Sequence, residues 1–205
     1  MTTKSNKIVA RLGKLLSGAG AAPDLPHRQQ LLQQIFQPDQ FRWWHGLAFG
    51  IAANLISALN TGRRADDRQY YEGLRQAPFA PPGWVFGPAW AINNISVLWG
   101  NLRLLNLPEA TPHRRTILGL QGASWAIYSS FSYVYFNKRS PILACTWTSG
   151  MYVLTIISIL LTSKIDRKIA LSLATLFVWL SLATPVAAYQ MIYNPDPLLG
   201  TPAWR

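Results

Sequence analysis

All eight acidic residues of this chain fall outside five long apolar stretches. Asp24, Asp39, Asp66, Asp67, Glu72, Glu109, Asp166 and Asp196 punctuate the sequence around residues 41–60, 85–105, 116–136, 141–162 and 169–193. A lipid bilayer imposes this segregation. An ionised side chain at membrane depth costs several kcal/mol, and a helix needs about 20 mostly apolar residues to cross the hydrocarbon. Only 13% of the 205 residues are charged and 50% are hydrophobic, whereas soluble domains are about 25% charged. The pattern predicts an all-α protein, a five-helix transmembrane bundle over residues 41–194. It is flanked by a basic, amphipathic N-terminal extension (1–40) and a Pro-containing C-terminal tail (195–205).

The net charge of +11 raises the question of nucleic acid. The basic residues flank the apolar stretches instead of forming one patch, so no nucleic-acid partner is expected and anionic lipid headgroups are the better counter-charge. In the extension, Lys4, Lys7, Arg11 and Lys14 interleave with Ile8, Val9, Leu12, Leu15 and Leu16. That spacing suits a helix lying on a membrane surface, or an organellar transit peptide. Lys and Arg flanking the stretches divide almost evenly between the two sides, so they fix no orientation. An integral membrane location is expected, whether bacterial inner, thylakoid or organellar. Cys145 is the single cysteine, which excludes an intrachain disulfide and a thiolate metal cluster.

One segment concentrates helix breakers and indoles: Ala77-Pro-Phe-Ala-Pro-Pro-Gly-Trp-Val-Phe-Gly-Pro-Ala-Trp90. Pro82 suits the first turn of a helix, where its missing N–H is not needed. Pro88, one turn further in, predicts a kink or wide turn. The segment reads as a stiff lid leading into the second helix, with Trp84 at the membrane interface. Beyond it, Trp90, Asn93, Asn94, Val97 and Asn101 share one side at helical spacing, as do Gln121, Trp125, Tyr128 and Ser132 on the third stretch. Thr175, Trp179, Ala183 and Val186 form a stripe on the fifth. Neighbouring asparagines at membrane depth must face protein, water or ligand. These faces either pack against one another, asparagine being a common interhelical link, or line an aromatic, uncharged pocket for a flat lipophile. Trp43, Trp44 and Trp204 read as interface or surface residues.

His45, beside Trp43 and Trp44, has the chemistry to ligate a metal or a tetrapyrrole metal, but an edge histidine without partners fits a headgroup contact better. No His/Cys/carboxylate cluster, nucleophile–base pair, Gly-rich phosphate loop or intramembrane acid is present, which argues against a metal site, a hydrolase, an ATPase and a proton-coupled pump.

The run Tyr70-Tyr-Glu-Gly-Leu-Arg-Gln-Ala-Pro-Phe-Ala-Pro-Pro-Gly-Trp-Val-Phe-Gly-Pro-Ala-Trp90 resembles the TspO/MBR family of tryptophan-rich sensory or translocator proteins. The resemblance extends over about residues 45–194. It implies five membrane helices and a long first loop that closes a pocket inside the bundle. It also implies binding of a tetrapyrrole (porphyrin, heme or chlorophyll-type) or another lipophilic ligand, and frequent homodimers. Carried over by position, Trp84, Trp90, Gln121 and Trp179 match family residues near that pocket. Asn94 stands where the family usually has Tyr, and Trp125 and Tyr128 stand where it has Asn and Trp. Thr175-Leu176 replaces a Pro-Tyr pair and Val186-Ala187 a Leu-Asn pair. The ligand-binding set expected here is therefore Trp84, Trp90, Asn93, Asn94, Gln121, Trp125, Tyr128 and Trp179. The alternative expectation is an accessory subunit of a larger membrane complex, such as a pigment–protein assembly, to which the extension and the tail would dock. A porphyrin-degrading enzyme, as some members of the family are described, is a third reading, weakened by the altered third-helix positions.

Overall fold

The computed structural model describes residues 40–59 and 64–204, so the expected amphipathic extension lies outside the described residues. Each of the five apolar stretches forms a long helix. They are α1 (Trp43–Leu59), α3 (Phe86–Leu105), α4 (Arg114–Ser132), α5 (Pro141–Thr162) and α6 (Arg167–Tyr193). The short helix α2 (Arg64–Gly73) interrupts the loop between α1 and α3, and no sequence signal placed it there. No strand occurs among the described residues.

The chain is an all-α membrane bundle. Helices α5 and α6 are long and apolar enough to cross a bilayer. The outward faces elsewhere are apolar too: Leu47, Ile51 and Leu55 on α1, and Ile92, Ile95 and Trp99 on α3, are exposed. Such faces are satisfied by lipid. Trp43, Trp44 and Trp204 are exposed, as their interface reading expects.

Helix boundaries follow from local chemistry. Pro141 occupies the first turn of α5, and the Ser140 hydroxyl caps it by accepting from the Leu143 N–H at 3.1 Å; both features relieve amides that have no partner inside the helix. Asp166 caps α6 by accepting from the Lys168 N–H at 2.9 Å and pairs with Arg103 of α3. Burial alone would raise the Asp166 carboxyl; the Lys168 and Ile169 amides and Arg103 outweigh it and hold it below the usual carboxylate range. The Arg114 guanidinium donates to the Leu104 and Leu105 carbonyls, which lack intrahelical partners at the end of α3.

Pro88 lies close to the start of α3. The chain passes from Pro82 into a 3-10 turn, Gly83–Val85, and becomes α-helical at Phe86. Pro88 is thus in the first α-helical turn, where its missing N–H forfeits no ladder bond.

The five long helices close into a ring: α1 against α3, α3 against α6, α6 against α5, α5 against α4 and α4 back against α1. At one end Leu104, Ile117 and Ile169 are buried together and plug the ring. Val97, Trp125, Met151, Leu173, Leu176 and Leu180 fill its middle. The α3–α6 contact is set by Gly100. A Cβ there would lie 2.0 Å from Ser172 Oγ and 3.2 Å from Ser172 Cβ. Ser96 of α3 also donates to the Ser172 carbonyl at 2.7 Å. Small residues permit such close backbone approach in membrane helices.

The tail is part of the bundle. The Trp204 N–H donates to the Ile192 carbonyl at 2.7 Å, and Asp196 and Thr201 form a backbone bridge. Asp196 is 1% exposed. Its carboxylate accepts from the Ser140 hydroxyl and from the Ile142 and Leu199 amides, which fastens the tail to the start of α5. Burial pushes this carboxyl up, but the hydrogen bonds from Ser140, Leu199, Ile142 and Leu198 outweigh burial and leave it below the usual range.

Two outcomes follow. Gly100→Leu forces α3 and α6 apart and is expected to destabilise the bundle by about 3 kcal/mol or more; an unchanged thermal unfolding curve in detergent would contradict the Gly100–Ser172 contact. Because the folded Asp196 carboxyl is lowered, the stability it confers is present above its unfolded value of about 3.9 and is lost as pH falls through the folded one. Thermal unfolding followed from pH 7 to pH 3 should show a smaller acid-induced loss in Asp196→Asn than in wild type, with the residual loss assigned to Asp166.

Candidate functional site

At the end of the ring opposite the Leu104 plug, the helices enclose a cavity of about 750 Å³. Its walls are mostly apolar and rich in aromatic rings. Phe86 and Trp90 come from α3, Tyr128 and Phe131 from α4, and Trp179, Ala183 and Val186 from α6. Tyr135 and Phe136 come from a five-residue π-helical turn, Tyr133–Asn137, that continues α4. Tyr135 lies two helical turns beyond Tyr128 and keeps to the inward face, where it is buried and stacks with Phe131 at 5.4 Å. Phe86 and Trp179 meet edge to face at 5.3 Å, and Trp90 lies against Tyr128 at 5.1 Å. Such tilted ring contacts are the favourable ones.

A lid covers the cavity. Asp67, Arg68, Tyr71 and Glu72 of α2 line its outer side, with Pro81, Gly83 and Trp84 of the following segment. Arg68 and Glu72 pair at 2.7 Å on the exposed face of α2. The lid is held to the end of α6 by amides. The Asn194 side chain accepts from the Arg75 N–H at 2.7 Å and donates to the Arg75 carbonyl at 3.1 Å. Gln190 donates to Gln76 at 2.7 Å, and Gln76 donates to the Tyr71 carbonyl at 2.7 Å. The Tyr135 hydroxyl donates to Gln190 at 2.9 Å. One chain of hydrogen bonds thus runs from the cavity wall to the lid. Arg75 also lies over the Tyr193 ring at 5.0 Å. Beside this latch, burial and the Asp196 carboxylate push the Tyr70 hydroxyl up to about 12, opposed by Arg139 over its ring, so Tyr70 stays neutral.

The expected ligand-binding residues divide. Trp84, Trp90, Tyr128 and Trp179 line the cavity. Trp84, 76% exposed, sits at its rim. Asn93, Asn94 and Trp125 lie outside it, around a smaller chamber of about 20 Å³ that shares Trp90 and Tyr128 as walls. Asn94 donates to the Tyr128 hydroxyl at 2.7 Å, which donates to Asn54 of α1 at 2.7 Å; this asparagine joins three helices. Gln121 lies in neither space, and its amide donates to Ser158 of α5 at 3.0 Å. Of the fifth-stretch stripe, Thr175 is not a wall residue and hydrogen-bonds the Ser172 carbonyl instead. His45 lies outside the cavity, stacked on Trp44 at 3.5 Å with its Nδ1 accepting from the Arg42 N–H. No group of three or more metal-binding side chains occurs among the described residues.

Sequence reasoning missed Tyr71, Phe86, Phe131, Tyr135 and Gln190. For Phe131 a signal was present, since Tyr128 and Phe131 are one helical turn apart. The same spacing runs on to Tyr135, one turn beyond Phe131, while Gln190 needed the lid contact.

A helical membrane bundle with a lidded aromatic cavity in one end is the class these features define. The sequence model of the TspO/MBR family matches residues 46–193. The chain belongs to the TspO/MBR family. No curated protein matches it.

The latch makes a local prediction. Asn194→Ala removes both side-chain bonds to Arg75, each worth about 1 kcal/mol. Amide hydrogen exchange in residues 74–82 should accelerate roughly tenfold or more, while exchange at the Leu104 plug should not change. Equal protection of the lid in both proteins would contradict the latch.

Proposed function

We propose that this membrane protein binds a flat, lipophilic ligand of the tetrapyrrole class in the lidded cavity. The aromatic lining carries the reading: Tyr71, Phe86, Trp90, Tyr128, Tyr135 and Trp179 surround about 750 Å³, a volume within the range of small-molecule sites, about 300–1,000 Å³. Flat π-faces favour stacking and edge contacts, and ligand binding in a mostly apolar cavity is driven by shape and burial. Gln190 and Ser132 supply hydrogen bonds for polar edges of a ring. The outer side carries the charged groups Asp67, Arg68 and Glu72, the last two already paired with each other. Among the wall residues there is no histidine or cysteine, and Met151 is the only thioether. This donor set suits the face of a macrocycle better than a His- or Cys-ligated iron. A porphyrin without a metal therefore fits at least as well as heme.

The tail does not favour an accessory-subunit reading, because Asp196 and Trp204 are engaged within the bundle itself. The family match, residues 46–193, supports a membrane protein of the TspO type, and the ligand class rests on the cavity.

Protoporphyrin titration of the protein in lipid nanodiscs, followed by tryptophan quenching, tests the reading. Trp90→Ala should weaken binding about tenfold or more. Trp99→Ala, on the outward face of α3, should leave affinity unchanged. Equal affinities for wild type and Trp90→Ala would overturn the assignment of the cavity.

A further inference from the structure

The helix ends around the Leu104 plug carry cations that the rest of the described chain does not engage. Arg115 stands two residues before Ile117 at the start of α4. Lys164 stands next to Ile165 in the turn between α5 and α6, and Arg167 and Lys168 directly precede Ile169. Ile117 and Ile169 are buried together with Leu104, and Ile165 packs against them. The plug therefore gathers the four cations around one patch. All four are exposed. Their side chains make no ion pair among the described residues, where the salt bridges are Arg68–Glu72 and Arg103–Asp166. Asp166 is already committed to Arg103 and to the Lys168 and Ile169 amides, so it neutralises none of them. The lid end differs. There Arg68 pairs with Glu72, while Arg75, Lys138 and Arg139 lie over the rings of Tyr193, Tyr133 and Tyr70. Lys and Arg divide almost evenly in the sequence, yet the described side chains leave a compact unpartnered set at the plug end.

Depth follows from the helices. Both α5 and α6 are long and apolar enough to cross a bilayer, so the turn that joins them lies at a membrane surface, where the phosphates of lipid headgroups lie. The flanks of the patch are apolar. Leu160, four residues before Lys164, and Leu171, four after Arg167, are exposed. Cations at the surface level bordered by outward leucines match a molecule with an anionic head and hydrocarbon tails. We infer that Arg115, Lys164, Arg167 and Lys168 form a recognition site for an anionic phospholipid. Its phosphate accepts charge-assisted hydrogen bonds from the ammonium and guanidinium groups, and its net negative headgroup adds attraction for each cation near the surface. Its acyl chains lie along the outer faces of α5 and α6. A free phosphate, an acidic peptide or a nucleic acid would leave those leucine faces unused. The site is at the opposite end from the aromatic cavity, so the inference does not depend on what fills that cavity.

The test is native mass spectrometry of the full chain in detergent, offered phosphatidylglycerol or phosphatidylcholine with identical acyl chains. Wild type should bind phosphatidylglycerol about tenfold more tightly or better, and the preference should shrink as salt is raised. Lys164→Gln combined with Lys168→Gln should remove most of the preference. Arg75→Gln combined with Lys138→Gln lowers the net charge equally at the lid end and should leave it intact. If the first double variant does not fold, Arg115→Gln, on a different helix, should lower the preference in its place. Equal binding of the two lipids by wild type overturns the inference. An equal loss in both double variants overturns it too, because the preference would then belong to net charge and not to this patch. Displacement of the lipid by millimolar inorganic phosphate, or occupation of the patch by an acidic peptide or nucleic acid with no lipid preference, contradicts it equally.

Discussion

The approach of α3 to α6 at Gly100 and Ser172 is the constraint on which the rest of the bundle depends. The two helices are so close there that even a methyl group on Gly100 would collide with Ser172. The contact lies toward the C-terminal end of α3 and the N-terminal end of α6, next to the Leu104 and Ile169 plug. Toward their other ends the same two helices meet through large rings, Phe86 against Trp179 at 5.3 Å, and line the cavity together with Trp90 and Val186. Gly46 and Gly50 of α1, set against Leu102 and Leu98 of α3, repeat the device on the other flank. Glycines bring the backbones close at one end, and large aromatic side chains mediate the contact at the other.

The open end is sealed by polar groups that the membrane would otherwise penalise. Asn194 satisfies both the N–H and the carbonyl of Arg75, so a loop backbone over an apolar space is not left unpaired. Gln190 and Gln76 extend this seal to Tyr135 and Tyr71. Asp196 performs the corresponding service at the start of α5, where helix amides lack partners. The lid, the π turn and the tail are therefore one polar collar around an aromatic interior. An occupant in contact with Gln190 or Tyr135 touches the same hydrogen-bonded chain that holds the lid.

Much of this was legible in the sequence because the bilayer writes long-range constraints into local composition. Acid-free stretches of helical length located all five long helices, and Pro141 even marked the start of α5. The proline-rich run leading to Trp90 announced the lid and its approach to α3. Helical spacing placed Trp90, Tyr128 and Trp179 on inward faces. It misplaced Gln121 because an inward face is as often a helix–helix contact as a cavity wall, and only depth along the axis distinguishes them. Gln121 lies deeper, opposite Ser158. How far inside the helix Pro88 lies was not legible either, because three residues of 3-10 turn precede the α-helix. Gln190, Asn194 and Asp196 were invisible because their partners lie 54 to 119 residues away in the chain. No local pattern encodes such pairs.

The central claim is that the aromatic cavity is a site for a flat lipophile. The absorbance spectrum of the protein purified in mild detergent from its native membrane tests it most directly. The account predicts a visible tetrapyrrole band that co-purifies with the protein and is diminished in Trp90→Ala. A spectrum with protein absorption alone, unchanged on adding porphyrin to the purified protein, would contradict it.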